Sequence, residues 1–353
     1  MKTLKLEDID KNFAANTDFD SSDLSWININ QKPFEINGVY HNEKQYIRMP
    51  EEFAANVSEG VSLFNYRTAG GRVRFKTNSK KIAIKVVTEN FPPMLHMPRS
   101  GQSCFDLYIK KDGKYVFENI FLSNDVNMTN GYSSIINLNG NLEEYLINFP
   151  LYDQVFDVYL GFEKSAEIIE PCEYTYKKPI VFYGSSITQG GCASRPGSCY
   201  TSLISTDLDS DYINLGFAGR CKGEKEMAEY ISNLDMSLFV YDYDHNAYSL
   251  EMLKDTHYPF YEIIRKKNPN LPIIFVTAPY YKNKLRNDCK ELIFDNYQTA
   301  LKSGDKNVGF VDGSALFNGE FYEGCTVDNT HPTDLGFYRM YVGIKKEIEK
   351  FLK

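Results

Sequence analysis

The chain has little that would tie it to a membrane, a nucleic acid or an oxidising compartment. No stretch approaches the roughly 18 uninterrupted apolar residues of a membrane span. The opening segment, MKTLKLEDIDKNF, has neither the apolar run nor the cleavage site of a signal peptide. Basic charge is in deficit: 39 Lys and Arg against 47 Asp and Glu leave a formal net charge of −8. A nucleic-acid partner or an anionic membrane surface needs a basic footprint, so neither is expected. The seven cysteines are odd in number and contain no CxxC pair. Free thiols are therefore expected rather than a disulfide framework, in a soluble, cytoplasmic protein. No His/Cys group has zinc-ligand spacing, and nothing around Cys192 or Cys199 demands an ion, so no metal and no cofactor is expected. Neither GxGxxG nor GxxxxGKS/T occurs, which removes the common nucleotide cradles. Tryptophan is nearly absent (Trp26 alone), whereas there are 26 Tyr and 24 Phe. Half-buried tyrosines suit a groove for a polar substrate as well as ordinary sheet faces.

The 353 residues divide into two patterns, with ample apolar content (42%) for a core in each. Up to about residue 165 the periodicity is two, as in Gly71-Arg72-Val73-Arg74-Phe75-Lys76 and Lys81-Ile82-Ala83-Ile84-Lys85-Val86. Further strands are expected at 34–40, 105–110, 115–121, 143–149 and 154–160, with a short helix near 51–57. Many short strands separated by turns predict an antiparallel β-sandwich of jelly-roll type over residues 1–165. Residues 166–178, charged and containing Pro171, are expected to be a linker. From 179 to 353 apolar strands (179–183, 212–215, 237–242, 272–277, 307–311) alternate with helix-period segments, the pattern of an α/β domain around a parallel sheet.

The second part carries the candidate chemistry. In Ile180-Val181-Phe182-Tyr183-Gly184-Ser185-Ser186-Ile187-Thr188-Gln189-Gly190-Gly191 a strand runs into a small-residue turn and then a helix. Such a turn presents a serine at the carboxyl end of the sheet, where ligand sites form. Acyl transfer by serine also needs a base, an orienting carboxylate and donors for the oxyanion. Asp328 stands three residues before His331 in a polar loop, a spacing that lets the carboxylate fold back onto the imidazole. Gly219, in Asn214-Leu215-Gly216-Phe217-Ala218-Gly219, and Asn246, in Tyr243-Asp244-His245-Asn246-Ala247, follow the next two strands and are donor candidates.

These four blocks resemble those of the SGNH (GDSL-type) hydrolase superfamily, in order, over residues 179–340. Gly184 to Gly190 matches the nucleophile block, with Ser185 where aspartate is commonest, and Asp244-His245-Asn246 departs from the usual Gly-x-Asn-Asp form. Cys104-Phe105-Asp106-Leu107-Tyr108 is similar to the GxDLY motif of one two-domain branch, with Cys104 replacing glycine. The resemblance implies a β-sandwich packed on a flavodoxin-like hydrolase domain that acts on esters, often acyl groups of carbohydrates. It implies Ser186 as nucleophile, His331 as base, Asp328 as orienting carboxylate, and Ser186, Gly219 and Asn246 as the oxyanion hole.

His96 on a Pro-rich loop, Arg195, Arg220 and His245 are candidate substrate contacts, while His257 lies on an apolar helical stripe and reads as core. The expected reaction is hydrolysis of short acyl esters, O-acetyl on a carbohydrate first, so the expected partner is a small-molecule or oligosaccharide ester. Self-association is left open. Two alternatives stand beside it: a lipid or thioester acylhydrolase of the same fold, and a non-catalytic carbohydrate-binding protein. An α/β-hydrolase is disfavoured, because Gly184-Ser185-Ser186-Ile187-Thr188 lacks the second glycine of G-x-S-x-G.

Overall fold

The structure, a computed structural model, describes residues 9–10, 14–89, 92–123, 125, 130–279 and 284–352. Most of the opening segment screened for a leader lies outside them. The first part comprises β1 (Leu24–Asn28), β2 (Glu35–Asn37), β3 (Tyr40–His41), β4 (Tyr46–Ile47), β5 (Arg72–Thr77), β6 (Lys81–Glu89), β7 (Phe105–Lys111), β8 (Lys114–Phe121), β9 (Tyr132–Asn137), β10 (Glu143–Asn148), β11 (Gln154–Glu163) and β12 (Ile168–Ile169). Two antiparallel sheets form, β1-β11-β6-β9 and β12-β5-β10-β7-β8, with β2 also paired to β5. Val73, Phe75, Leu107, Tyr145 and Ile147 of the second sheet meet Ile82, Ile84, Val158 and Leu160 of the first in one apolar core. This is the expected sandwich, because period-two alternation turns every second side chain onto one face. Helix α1 (Glu51–Val57) and helix α2 (Glu59–Asn65) follow β4, and Ser58 between them caps α2 by accepting the Val61 N–H at 3.1 Å. A single turn, α3 (Arg99–Gln102), precedes β7.

The second part alternates as predicted: β13 (Tyr176–Gly184), α4 (Ser186–Gln189), α5 (Tyr200–Leu208), β14 (Ser210–Gly216), α6 (Lys225–Ser232), β15 (Leu238–Asp242), α7 (Leu250–Lys267), β16 (Ile273–Val276), α8 (Lys284–Lys302), β17 (Val308–Val311), α9 (Gly313–Leu316) and α10 (Asp334–Ile348). The sheet is parallel with order β14-β13-β15-β16-β17, so counted within this part the strands run 2-1-3-4-5, the flavodoxin-like order. Both faces are covered. Val181, Phe239 and Ile273 pack with α6 and α7, and Ile180, Phe182, Val240 and Ile274 with α5 and α10. Strand order reverses at β13, which opens a crevice at its carboxyl end. Of residues 166–178, Ile168 and Ile169 pair with β5 and Tyr176 to Lys178 begin β13. Among the described residues no helix is long and apolar enough to cross a membrane.

The polar face of β5 is not solvated as simple alternation predicts. Arg72 and Arg74 are fully buried, Arg74 lying 3.5 Å from the Tyr174 ring centroid and 2.7 Å from Glu35 Oε1. Arg72 pairs with Asp211 and donates to the Tyr212 carbonyl at 3.2 Å. Arg48, also buried, donates to the carbonyls of Gly216 at 2.5 Å and Asn214 at 3.3 Å. Alternate carbonyls along edge strand β14 (residues 212, 214 and 216) are thus satisfied by arginines of the β-sandwich, which closes an edge that would otherwise stay open.

Candidate active site

At the end of β13, Gly184 has no room for a side chain: a Cβ there would lie 1.8 Å from Asp242 Oδ1 and 2.1 Å from Thr188 Oγ1. Asp242 is buried behind the turn, accepting from the Thr188 hydroxyl and, at 2.9 Å, from the Tyr200 hydroxyl. Burial pushes its carboxyl up to about 7 against those two bonds. Ser185 is extended and caps α4, its Oγ accepting the Ile187 N–H at 3.1 Å. Ser186 opens the helix, and α4 stops at Gly190, where φ of +105° lets the chain turn away.

Ser186 Oγ lies 2.9 Å from His331 Nε2. His331 Nδ1 lies 2.7 Å from Asp328 Oδ2, and the other carboxylate oxygen accepts the backbone N–H groups of His331 at 2.7 Å and Thr330 at 3.0 Å. The loop folds back locally: Val327 N–H donates to the His331 carbonyl at 2.9 Å, and Asn329 takes a left-handed φ of 61°. Partial burial opposes ionisation of Asp328, but the His331 and Thr330 bonds outweigh it and hold the carboxyl below its usual range. An ionised Asp328 accepts from Nδ1–H, which leaves Nε2 to accept from the Ser186 hydroxyl.

The oxyanion candidates sit on loops tied to α4. Gln189 accepts the Ala218 N–H at 3.0 Å and donates to the Leu151 carbonyl at 3.1 Å, fastening the 217–219 loop and the β-sandwich to the same helix. Gly219 is exposed with φ of +66°, and a Cβ there would meet nothing within 4 Å. Its requirement for glycine is therefore the left-handed backbone rather than lack of space. Asn246 Nδ2 donates to the Cys221 carbonyl at 3.0 Å and, more weakly, to that of Phe217 at 3.5 Å, so it braces this loop.

The remaining candidates separate. His96 reaches across from the β-sandwich: its Nε2 is 3.9 Å from Asp328 Oδ2 and its ring centroid 5.5 Å from that of His331. His245 has a buried Nε2 without a partner among the described residues. Burial first, then Arg286 and His331, lower its pKa to about 3, so it is neutral. Arg195 turns to the β-sandwich, its Nε 3.9 Å from Asp106 Oδ2 and its guanidinium 4.0 Å from the Phe117 ring centroid. Arg220 lies against Gly60 of α2 and lines a cavity of about 740 Å³ with Glu59, Leu63, Tyr66 and Lys222. None of Ser186, Asp328 and His331 lines that cavity. His257 is core, stacked on Tyr241 at 4.6 Å, and burial lowers its pKa to about 3.

Two contributions were not assigned from sequence. Asp106, in the Cys104–Tyr108 stretch, is fully buried and accepts the Gly197 N–H at 2.8 Å and the Asn148 side chain at 2.8 Å. It thereby docks the turn that follows α4, and its motif was the available signal. The other is a possible ligand set: a ring nitrogen of His96, one of His331 and the Cys192 sulfur lie within 4.8 Å of one another. Chain spacing gave no hint of it, because the three residues come from separate segments.

Residues 177–349 match the model of the GDSL-like lipase/acylhydrolase family, and residues 24–168 match that of the GxDLY domain, the N-terminus of SGNH-hydrolase-type esterases. No curated protein matches the chain. Among solved structures, a GDSL-like lipase (so described) from Bacteroides ovatus ATCC 8483 is similar with a TM-score of 0.82 and 29% identity, over 93% of this chain and 98% of that one. A salicylyl-acyltransferase from a tetracycline biosynthetic pathway has a TM-score of 0.76 and 18% identity, over 94% and 98% of the two chains. An acetyl xylan esterase from the rumen bacterium Butyrivibrio proteoclasticus has a TM-score of 0.57 and 13% identity, over 93% and 98%. The last two likenesses speak to the fold alone.

Proposed function

Since the chain belongs to the GDSL-like, SGNH-type hydrolases and is an esterase by that membership, we propose that it cleaves short acyl esters, O-acetyl on a carbohydrate first, through Ser186, His331 and Asp328. The observation that carries this reading is the continuous hydrogen-bonded chain from Asp328 through His331 to Ser186 Oγ. His331 Nε2 takes the hydroxyl proton as Ser186 attacks the ester carbonyl, and Asp328 stabilises the imidazolium that forms. The N–H groups of Ser186 and Gly219 and the Asn246 amide receive the oxyanion, which replaces the long contact from Asn246 to Phe217. His331 then protonates the leaving alcohol. Water, activated by the same imidazole, releases the acid and restores Ser186.

Carbohydrate as the alcohol is our choice by analogy with the acetyl xylan esterase, whose likeness itself shows only the fold, and the exposed Tyr248 two residues from Asn246 suits a sugar ring. The seven free cysteines support a reducing compartment, and we place the enzyme in the cytoplasm. The test is hydrolysis of p-nitrophenyl acetate and of acetylated oligosaccharides by the wild type and by Ser186→Ala. The wild type should turn both over, and the variant should lose about 10³-fold or more in kcat. Equal rates for the two proteins would overturn the mechanism. A preference for long-chain esters would overturn the substrate class.

A further inference from the structure

Beside Ser186, three side chains that ester hydrolysis does not require to be neighbours converge. His96 comes from the loop before α3, Cys192 from the turn after α4, and His331 from the loop before α10. Their ligand atoms lie within 4.8 Å of one another. Two imidazoles and a thiolate form a donor set that takes zinc in preference to magnesium or calcium. A tetrahedral zinc ion, with Zn–N of about 2.0–2.1 Å and Zn–S of about 2.3 Å, holds such atoms about 3.3–3.6 Å apart. The widest gap here must therefore close by about an ångström.

The parts that would move and the parts that would stay are distinct. Cys192 is buried, with a left-handed φ of 79°, on a turn held by the Gly191 N–H to Ser186 carbonyl bond at 2.7 Å and the Ala193 N–H to Gly190 carbonyl bond at 3.1 Å. His331 is held at Nδ1 by Asp328 and presents Nε2. His96 is exposed, so its imidazole is free to close the gap, while Asp328 Oδ2 is the outer carboxylate that orients His331 through Nδ1 at 2.7 Å.

We infer that His96, Cys192 and His331 form an inhibitory zinc site that switches the esterase off. This rests on His331 being the general base. Zinc binds His331 through Nε2, the lone pair that accepts the Ser186 proton, and the imidazole can then no longer deprotonate the nucleophile. The Cys192 thiol gives up its proton to solvent as the Zn–S bond forms, and nothing is oxidised or reduced.

The experiment uses the full chain stripped with EDTA and two metals. Cobalt(II) titration should produce a thiolate-to-cobalt charge-transfer band in the wild type. Cys192→Ser should abolish that band, and His96→Asn should weaken cobalt binding by at least about tenfold. In parallel, zinc should inhibit hydrolysis of p-nitrophenyl acetate, EDTA should restore it, and magnesium should have no effect. Cys192→Ser should keep its activity but need at least about tenfold more zinc for the same inhibition. The cobalt band needs no turnover, so a protein inactive on every ester would overturn the proposed function and still leave the site testable. No band in the wild type, or zinc inhibition unchanged in both variants, would overturn the zinc site.

Discussion

Ser185 Oγ accepts the Ile187 N–H at 3.1 Å, so the serine immediately before Ser186 is committed to capping α4 and the two adjacent hydroxyls have different work. Ser185→Ala should therefore lower stability by about 1 kcal/mol, the usual cost of a lost N-cap. Its kcat should fall far less than that of Ser186→Ala. Urea unfolding and p-nitrophenyl acetate kinetics on the two variants check this. Similar stability loss with equal kinetic damage would put the nucleophile in doubt.

Asp328→Asn keeps the side-chain size but removes the charge that fixes the His331 tautomer. Oδ1 is held by the His331 and Thr330 backbone N–H groups, so in the asparagine the NH2 takes the place of Oδ2 against Nδ1 and favours the wrong tautomer. A fall in kcat of about 10³–10⁴-fold is expected, with KM little changed. Steady-state kinetics measure both.

Asp242 and Asp106 are buried carboxyls with folded-state pKa values raised, to about 7 and about 6, chiefly by burial. In the unfolded chain they titrate at about 4. Between those limits the folded protein binds more protons than the unfolded one, so these groups make stability fall as pH rises from about 4 to about 7. Asp242→Asn stays neutral throughout and should flatten that part of the curve. Melting temperature read from pH 4 to pH 8 tests it, and a variant curve with an unchanged slope would remove Asp242 as its source.

Arg48 couples the β-sandwich to the sheet edge that leads to Gly219. It donates to the carbonyls of Gly216 at 2.5 Å and Phe64 at 2.6 Å and lies 4.1 Å over the Phe217 ring. Arg48→Ala removes the donor that the buried Gly216 and Asn214 carbonyls share and should destabilise by roughly 3 kcal/mol. Arg48→Lys should rescue only part of this, because a point charge cannot span three acceptors as a planar fork does. Denaturant titration gives the ranking wild type, lysine, alanine.

Much of the fold was legible. Alternation in 71–76 and 81–86 announced antiparallel strands, observed at 72–77 and 81–89, and the change to strand–helix alternation from 179 announced the parallel sheet, whose first strand begins at 176. Strand β9 and helix α2 were not picked out. Their exposed and buried residues alternate less regularly, and packing rather than local preference decides them. Ser186, Asp328 and His331 were legible because each lies in a local motif.

By itself the sequence determined what local physics controls: strand and helix periods, the strand–Gly–Ser–helix turn, and a carboxylate three residues before a histidine. Side-chain period and short loops fix these without help from distant residues. Only the tertiary structure decided the rest. It buried Arg72 against β14 and Arg74 against Glu35 and Tyr174, turned Arg195 to Asp106 rather than the site, and brought His96 to Asp328 and Cys192 to His331. Those contacts join residues dozens to hundreds of positions apart, and their geometry follows from how two packed surfaces meet, which no local spacing encodes.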